Sequence, residues 1–213
     1  AGFDWVALDL PGHGASSHRA PGYDYAFADW LHDVLDAMDA LAWPQADLLG
    51  HSMGGAIACV LAAAVPARVR RLALVEALGP VAGDPAKAGE RIRDAVAARL
   101  VASRMSPEAA RLIVERNLRE VEGGYAWRSD PRLTWPGHLR MDENTIQAML
   151  RAIEAPVRVV AADPAPPYFP PEVRQARLGC LREASVVVLP GSHHLHMEQP
   201  DAVAAALLGF LRD

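Results

Sequence analysis

A chain of 213 residues with a formal net charge of −5 and 51% apolar residues can bury a core in one sizeable domain with an insertion, which argues against disorder. Its mild acidity, with no long run of like charge, argues against nucleic acid as the main partner. Cys59 and Cys180 are its only cysteines and form no CxxC pattern, so both read as small core hydrophobes, compatible with a reducing compartment.

No apolar run reaches the length of a membrane span and no signal peptide is visible, so a cytoplasmic protein without membrane contact is expected. The sequence sets no oligomeric state. It starts at Ala1 and runs almost at once into an apolar stretch, so an N-terminally incomplete chain is expected.

In chain order, Trp5-Val6-Ala7-Leu8 reads as a short buried strand entering the loop Asp9-Leu10-Pro11-Gly12-His13-Gly14-Ala15-Ser16. Asp24 is placed to cap a helix whose apolar set is Phe27, Trp30, Leu31, Val34, Leu35, Met38 and Leu41, closed by Pro44. The short run Ala46 to Leu49 is predicted as a strand. Ala56 to Val65, apolar all round, is predicted as a buried helix ended by Pro66. Leu72-Ala73-Leu74-Val75 is the next strand, followed by Glu76. Strands alternating with helices imply crossover connections and a mostly parallel sheet flanked by helices, an α/β fold.

From residue 81 to about 154 the rhythm changes to helices with no convincing strand. One helix carries Ile92, Val96 and Leu100. A second starts at Ser106 with Pro107 at its first position and carries Ile113, Val114 and Leu118. A third starts near Asp142 and carries Ile146, Met149, Leu150 and Ile153. Between the last two lies a turn-rich segment, Gly123 to Gly137, with Tyr125, Trp127 and Trp135. The predicted division is a core of residues 1–80 and 155–213 and a helical cap of residues 81–154. In the core, Val157 to Ala162 and Ser185 to Leu189 are strands, a helix runs to about Glu183, and Asp201 to Leu211 is a final apolar helix.

The chemistry gathers at Leu49-Gly50-His51-Ser52-Met53-Gly54-Gly55. Gly-x-Ser-x-Gly between a strand and a helix is the pattern of a nucleophile elbow, in which the serine sits on a strained turn. Glycines two residues either side of Ser52 are expected where the tight backbone leaves no room for side chains. A serine hydroxyl attacks well only when a base takes its proton, and a carboxylate behind a histidine fixes the tautomer and stabilises the imidazolium. Candidates for the base are His193, His194 and His196, all after the last strand. The other histidines read as solvated or structural. Candidates for the acid are Glu76 and Asp163, each just past a strand, where ligand sites of parallel sheets lie. Glu76 is favoured because a carboxylate flanked by apolar residues needs a buried partner, whereas Asp163 before Pro164 suits a turn. A metal held by the histidine cluster is disfavoured, since adjacent residues do not easily aim both rings at one ion.

The loop Asp9 to Ser16, the elbow Gly50 to Gly55, and the tail Gly191-Ser192-His193 with Glu198 and Pro200 resemble the α/β-hydrolase superfamily over nearly the whole chain. Leu74 to Pro80, Trp127 to Leu133 and His193 to Met197 look like its serine hydrolase-like branch. The resemblance implies an α/β-hydrolase fold whose first strands are missing here. It also implies His193 as base, with His194 as the fallback. Asp163 arrives too early for the commoner acid position, while Glu76 occupies the alternative one. One oxyanion N–H would come from Met53. The other would come from a His-Gly loop before Trp5 that this sequence lacks, so the segment alone is expected to fold poorly. The implied function is cleavage of a small-molecule ester-type bond through an acyl-enzyme, with no metal or organic cofactor required. The other readings are a non-catalytic ligand-binding protein of the same fold, and a C–C bond hydrolase, lactonase or acyl transferase on the same triad.

Overall fold

A computed structural model describes residues 2–83, 106–122, 124–134 and 141–212. The elements follow in order: α1 (Phe27–Ala40), β1 (Ala46–His51), α2 (Met53–Ala64), β2 (Val69–Val75), α3 (Pro107–Asn117), β3 (Leu118–Val121), β4 (Gly124–Trp127), α4 (Glu143–Arg151), β5 (Val157–Asp163), α5 (Pro171–Leu178), β6 (Ala184–Pro190), α6 (Leu195–Glu198) and α7 (Pro200–Arg212). Four parallel strands form the main sheet in the order β1-β2-β5-β6.

The inner strands β2 and β5 are buried on both faces, which is why they are largely apolar runs rather than alternating ones, whereas β1 and β6 are more open. Leu72 and Leu74 of β2 pack with Leu61 of α2 and with Ile146 and Leu150 of α4. The intervening Ala73 and Val75 face the other way, onto Val203, Leu207 and Leu211 of α7. Helix α2 is covered nearly all round, with Ala56, Ile57, Ala58, Cys59, Leu61 and Ala62 buried. His51 pairs with Val75 and Asp163 with Pro190, while Val75 pairs with Val160, so β5 and β6 run three residues beyond β1 and β2. The strands being parallel, all four end on the same side of the sheet and the loops that follow them lie there together.

Several sequence expectations are corrected. Trp5 to Leu8 forms no strand, and Trp5, Val6 and Leu8 are exposed. Among the described residues β1 is hydrogen-bonded on one side only, to β2. A cleft of about 290 Å³ separates Gly2 to Trp5 from Ala46 to Leu49, and a ladder needs neighbours within about 4.9 Å. Asp24 does not cap α1, which starts at Phe27 with Ala26 in the capping position. Helix α3 stops at Asn117, because Leu118 turns to extended backbone (φ −93°, ψ 148°).

An antiparallel hairpin then stands between α3 and α4, where helices alone are expected. Leu118 pairs with Trp127, and Val121 pairs with Gly124 across the two-residue connection Glu122-Gly123. Its side chains are largely exposed, so no burial periodicity marked it. Ser106 and Asp142 do cap α3 and α4, accepting hydrogen bonds from the Ala109 and Thr145 N–H groups at 3.1 and 2.7 Å. The expected helix with Ile92, Val96 and Leu100, and Trp135, lie outside the described residues. No described helix is long and apolar enough to cross a membrane.

Candidate active site

β1 ends at His51 and α2 begins at Met53, so Ser52 carries the whole reversal. Its φ of 50° and ψ of −116° lie where a non-glycine residue costs on the order of 1–3 kcal/mol. The turn is held by the Ser52 N–H to the Val75 carbonyl at 3.1 Å and by the Ala56 N–H to the Ser52 carbonyl at 2.9 Å. A Cβ on Gly50 would sit 2.5 Å from the Gly55 nitrogen, and one on Gly55 would sit 2.5 Å from the Ala77 Cβ. Gly54 faces open space. The expectation that both flanking glycines are forced by crowding is therefore corrected: the crowded pair is Gly50 and Gly55. Met53, the first residue of α2, leaves its N–H among the unpaired donors of a helix start.

The loop after β6 carries His193 over this turn, and its Nε2 lies 2.9 Å from the Ser52 Oγ. Its Nδ1 faces the Glu76 Oε2 at 3.5 Å. Those two atoms are buried without another hydrogen-bond partner, so each is the other's neighbour across a slightly long gap. Such contacts often tighten only when substrate is bound. With Nδ1 as the protonated nitrogen facing the carboxylate, Nε2 is free to accept the serine proton.

Glu76 is 2% exposed. Its backbone N–H continues the ladder to the Val160 carbonyl at 2.8 Å, and its Oε1 accepts the Ala162 N–H at 2.6 Å. A φ of 50° at Glu76 turns the chain just past β2. Among the described residues, two of the three non-glycine residues with positive φ, Ser52 and Glu76, thus lie in this site. Asp163, the other carboxylate candidate, is exposed at the end of β5, and among the described residues no hydrogen bond or ion pair joins it to His193.

His194 and His196 do not reach Ser52. They surround His51, whose ring centre lies 4.7 Å from that of His193, 5.5 Å from His194 and 4.1 Å from His196. The His51 Nε2–H donates to the His193 carbonyl at 2.7 Å. Burial, followed by the neighbouring His196, pushes the His51 pKa down to about 3, and burial also lowers His194 and His196. Burial thus favours the neutral imidazole at His51, His194 and His196.

Sequence reasoning placed His51 among the structural or solvated histidines. Its position directly before the nucleophile was the available signal. Tyr168 was missed as well: its ring meets that of His193 edge-on at 5.5 Å, and burial with the nearby Glu76 charge raises its hydroxyl pKa.

Polar contacts join residues 106–132 to the segments before β1 and after β6. Arg132 donates to the carbonyls of Arg19, Ala20 and Tyr23 and pairs with the buried Asp130 at 2.7 Å. Hydrogen bonds from Arg132 outweigh burial and hold the Asp130 carboxyl well below its usual range. Arg116 pairs with Asp9 at 2.7 Å. Glu198 accepts both the Ser192 N–H of the His193 loop and the Ser106 N–H ahead of α3, each at 3.1 Å.

Among the described residues no group of three or more His, Cys, Asp or Glu side chains is arranged to hold a metal ion.

Comparison with known proteins bears on the family and the fold. Residues 1–111 match a family model described as alpha/beta hydrolase fold. A serine hydrolase-like protein of Dictyostelium discoideum is 27% identical over 97% of this chain, which spans 66% of that protein's length. A serine hydrolase-like protein of Danio rerio is 27% identical over 98% of this chain and 74% of its own. Among solved structures, a hypothetical protein of Pseudomonas aeruginosa PAO1 superposes with a TM-score of 0.82 at 36% identity. It covers 97% of this chain and 80% of its own.

Proposed function

The chain belongs to the alpha/beta hydrolase fold family, on its serine hydrolase-like branch, and from that premise we propose that it cleaves an ester-type bond of a small molecule through an acyl-enzyme on Ser52. The Ser52 Oγ attacks the carbonyl carbon while its proton passes to the His193 Nε2. Glu76, opposite Nδ1–H, holds the tautomer and stabilises the imidazolium. The Met53 N–H, at the positive end of α2, faces the oxyanion. Collapse breaks the bond to the leaving oxygen, which takes the proton from His193. Water then attacks the acyl carbon with His193 as base, releasing the acid and restoring the Ser52 hydroxyl.

The observation that carries this reading is the His193 ring, with one nitrogen 2.9 Å from the Ser52 Oγ and the other 3.5 Å from a buried carboxylate. Serine as the attacking atom also sets the chain apart from relatives of the fold that would need an aspartate nucleophile.

The assignment of the acid is tested with an activated ester. Glu76→Gln is expected to lower kcat by roughly 10³–10⁴-fold, the scale on which loss of the orienting carboxylate acts, while Asp163→Asn stays within about twofold. Loss of turnover in Asp163→Asn alone would overturn the role given to Glu76.

A further inference from the structure

We propose that His51 is a positioning residue for the base: its Nε2–H grips the backbone carbonyl of His193 and so sets the reach of the His193 ring to Ser52. The inference rests on the reading of Ser52, His193 and Glu76 as the reacting set.

The side-chain anchors of His193 are few. Its Nδ1 stands 3.5 Å from Glu76, a loose contact, and its Nε2 meets the atom that must move during reaction. The loop is braced before and after that residue. Glu198 accepts the Ser192 N–H at 3.1 Å, the Ser192 Oγ accepts the His194 N–H at 3.2 Å, and the Leu195 N–H reaches the Ser192 carbonyl at 3.1 Å. At His193 itself the carbonyl is held by the His51 N–H at 2.7 Å. β1 and β6 stand at opposite ends of the sheet with β2 and β5 between them. His51 therefore ties the end of the nucleophile's strand directly to the loop carrying the base, without passing through the sheet. Nucleophile and base then share one short rigid path, the residue before Ser52 bonded to the backbone of His193.

The slot asks for a flat ring with a single donor at its tip. Its walls are the rings of His193, His194 and His196, and burial keeps His51 neutral. A neutral ring supplies the N–H without setting a positive charge against the imidazolium that forms on His193. Catalysis by oriented groups is sensitive to placement, a shift of about 1 Å costing on the order of 10²-fold in rate.

The test uses the full chain and three variants of His51. His51→Phe keeps a ring and removes the N–H. His51→Asn keeps an amide too short to reach the carbonyl, and His51→Gln places an amide N–H near the original Nε2. Expected is a fall of about 10–100-fold in kcat and in the rate of Ser52 phosphonylation for the Phe and Asn variants, with KM within about twofold, and recovery of most of that loss in the Gln variant. Rates are taken per titrated Ser52, so a poorly folding Phe variant does not decide the matter and the Asn–Gln contrast does. Wild-type kcat in the Asn variant, or a Gln variant as slow as the Asn one, would overturn the proposal. Ser52→Ala and His193→Ala run in parallel: if they keep full turnover, the reading of the reacting set fails. If they abolish turnover while all His51 variants match the wild type, only the role of His51 fails.

Discussion

Trp5-Val6-Ala7-Leu8-Asp9 and Leu72-Ala73-Leu74-Val75-Glu76 are nearly the same message in sequence, four apolar residues and then an acid. In the folded chain they part completely. Leu72, Ala73, Leu74 and Val75 lie between β1 and β5 and are at most 3% exposed, whereas Trp5, Val6 and Leu8 are 45–56% exposed and unpaired. The acids part with them. Glu76 is buried beneath His193, while Asp9 sits in an open loop, capping the Ala15 N–H and pairing with Arg116. A short apolar run is permission to be a strand. A paired neighbour makes it one, and neighbours on both sides bring the burial that gives the following carboxylate its partner.

The contrast sets its own tests. Leu74→Ala removes a side chain sealed between α2, α4 and the sheet, and is expected to cost about 2–5 kcal/mol of unfolding free energy, as cavities in well-packed cores do. Trp5→Ala is expected to stay within about 0.5 kcal/mol. Denaturant unfolding of both variants checks the pair, and equal losses would mean that the N-terminal run is packed after all.

A smaller effect separates the two acids. The Asp9 carboxyl is lowered by its hydrogen bond to the Ala15 N–H, then by Arg116. Its contribution is therefore fully present above the unfolded carboxylate pKa of about 4 and is lost as pH falls through the lower folded value. Asp9→Asn is expected to cost roughly 0.2–1 kcal/mol at pH 7, the scale of an exposed pair, and nothing once both states are protonated. A difference that persisted unchanged to the lowest pH would contradict that origin.

How far the sequence could be read follows the same physics. β2, β5 and α2 were legible because two-sided burial writes continuous apolar runs. Ser52 and His193 were legible because elbow chemistry demands a Gly-x-Ser-x-Gly turn and a histidine past the last strand. The β3–β4 hairpin was not, since its residues are exposed and Leu118 continues the helical spacing of Ile113 and Val114; the Gly beside its two-residue connection was the usable hint. Gly54 was over-read, because a motif marks positions without saying which are crowded, and Gly55 is the one pressed against Ala77. His51 was under-read, because its partner carbonyl lies 142 residues away in sequence.

The central claim is that Ser52 is an activated nucleophile with His193 as its base. Treatment with a fluorophosphonate, followed by peptide mass spectrometry, tests it most directly, because the Oγ displaces fluoride and leaves a stable adduct. The expected result is a single adduct on Ser52 in the wild type and labelling slowed by several orders of magnitude in His193→Ala. A folded wild-type protein with no adduct on Ser52, or equal labelling in His193→Ala, would contradict it.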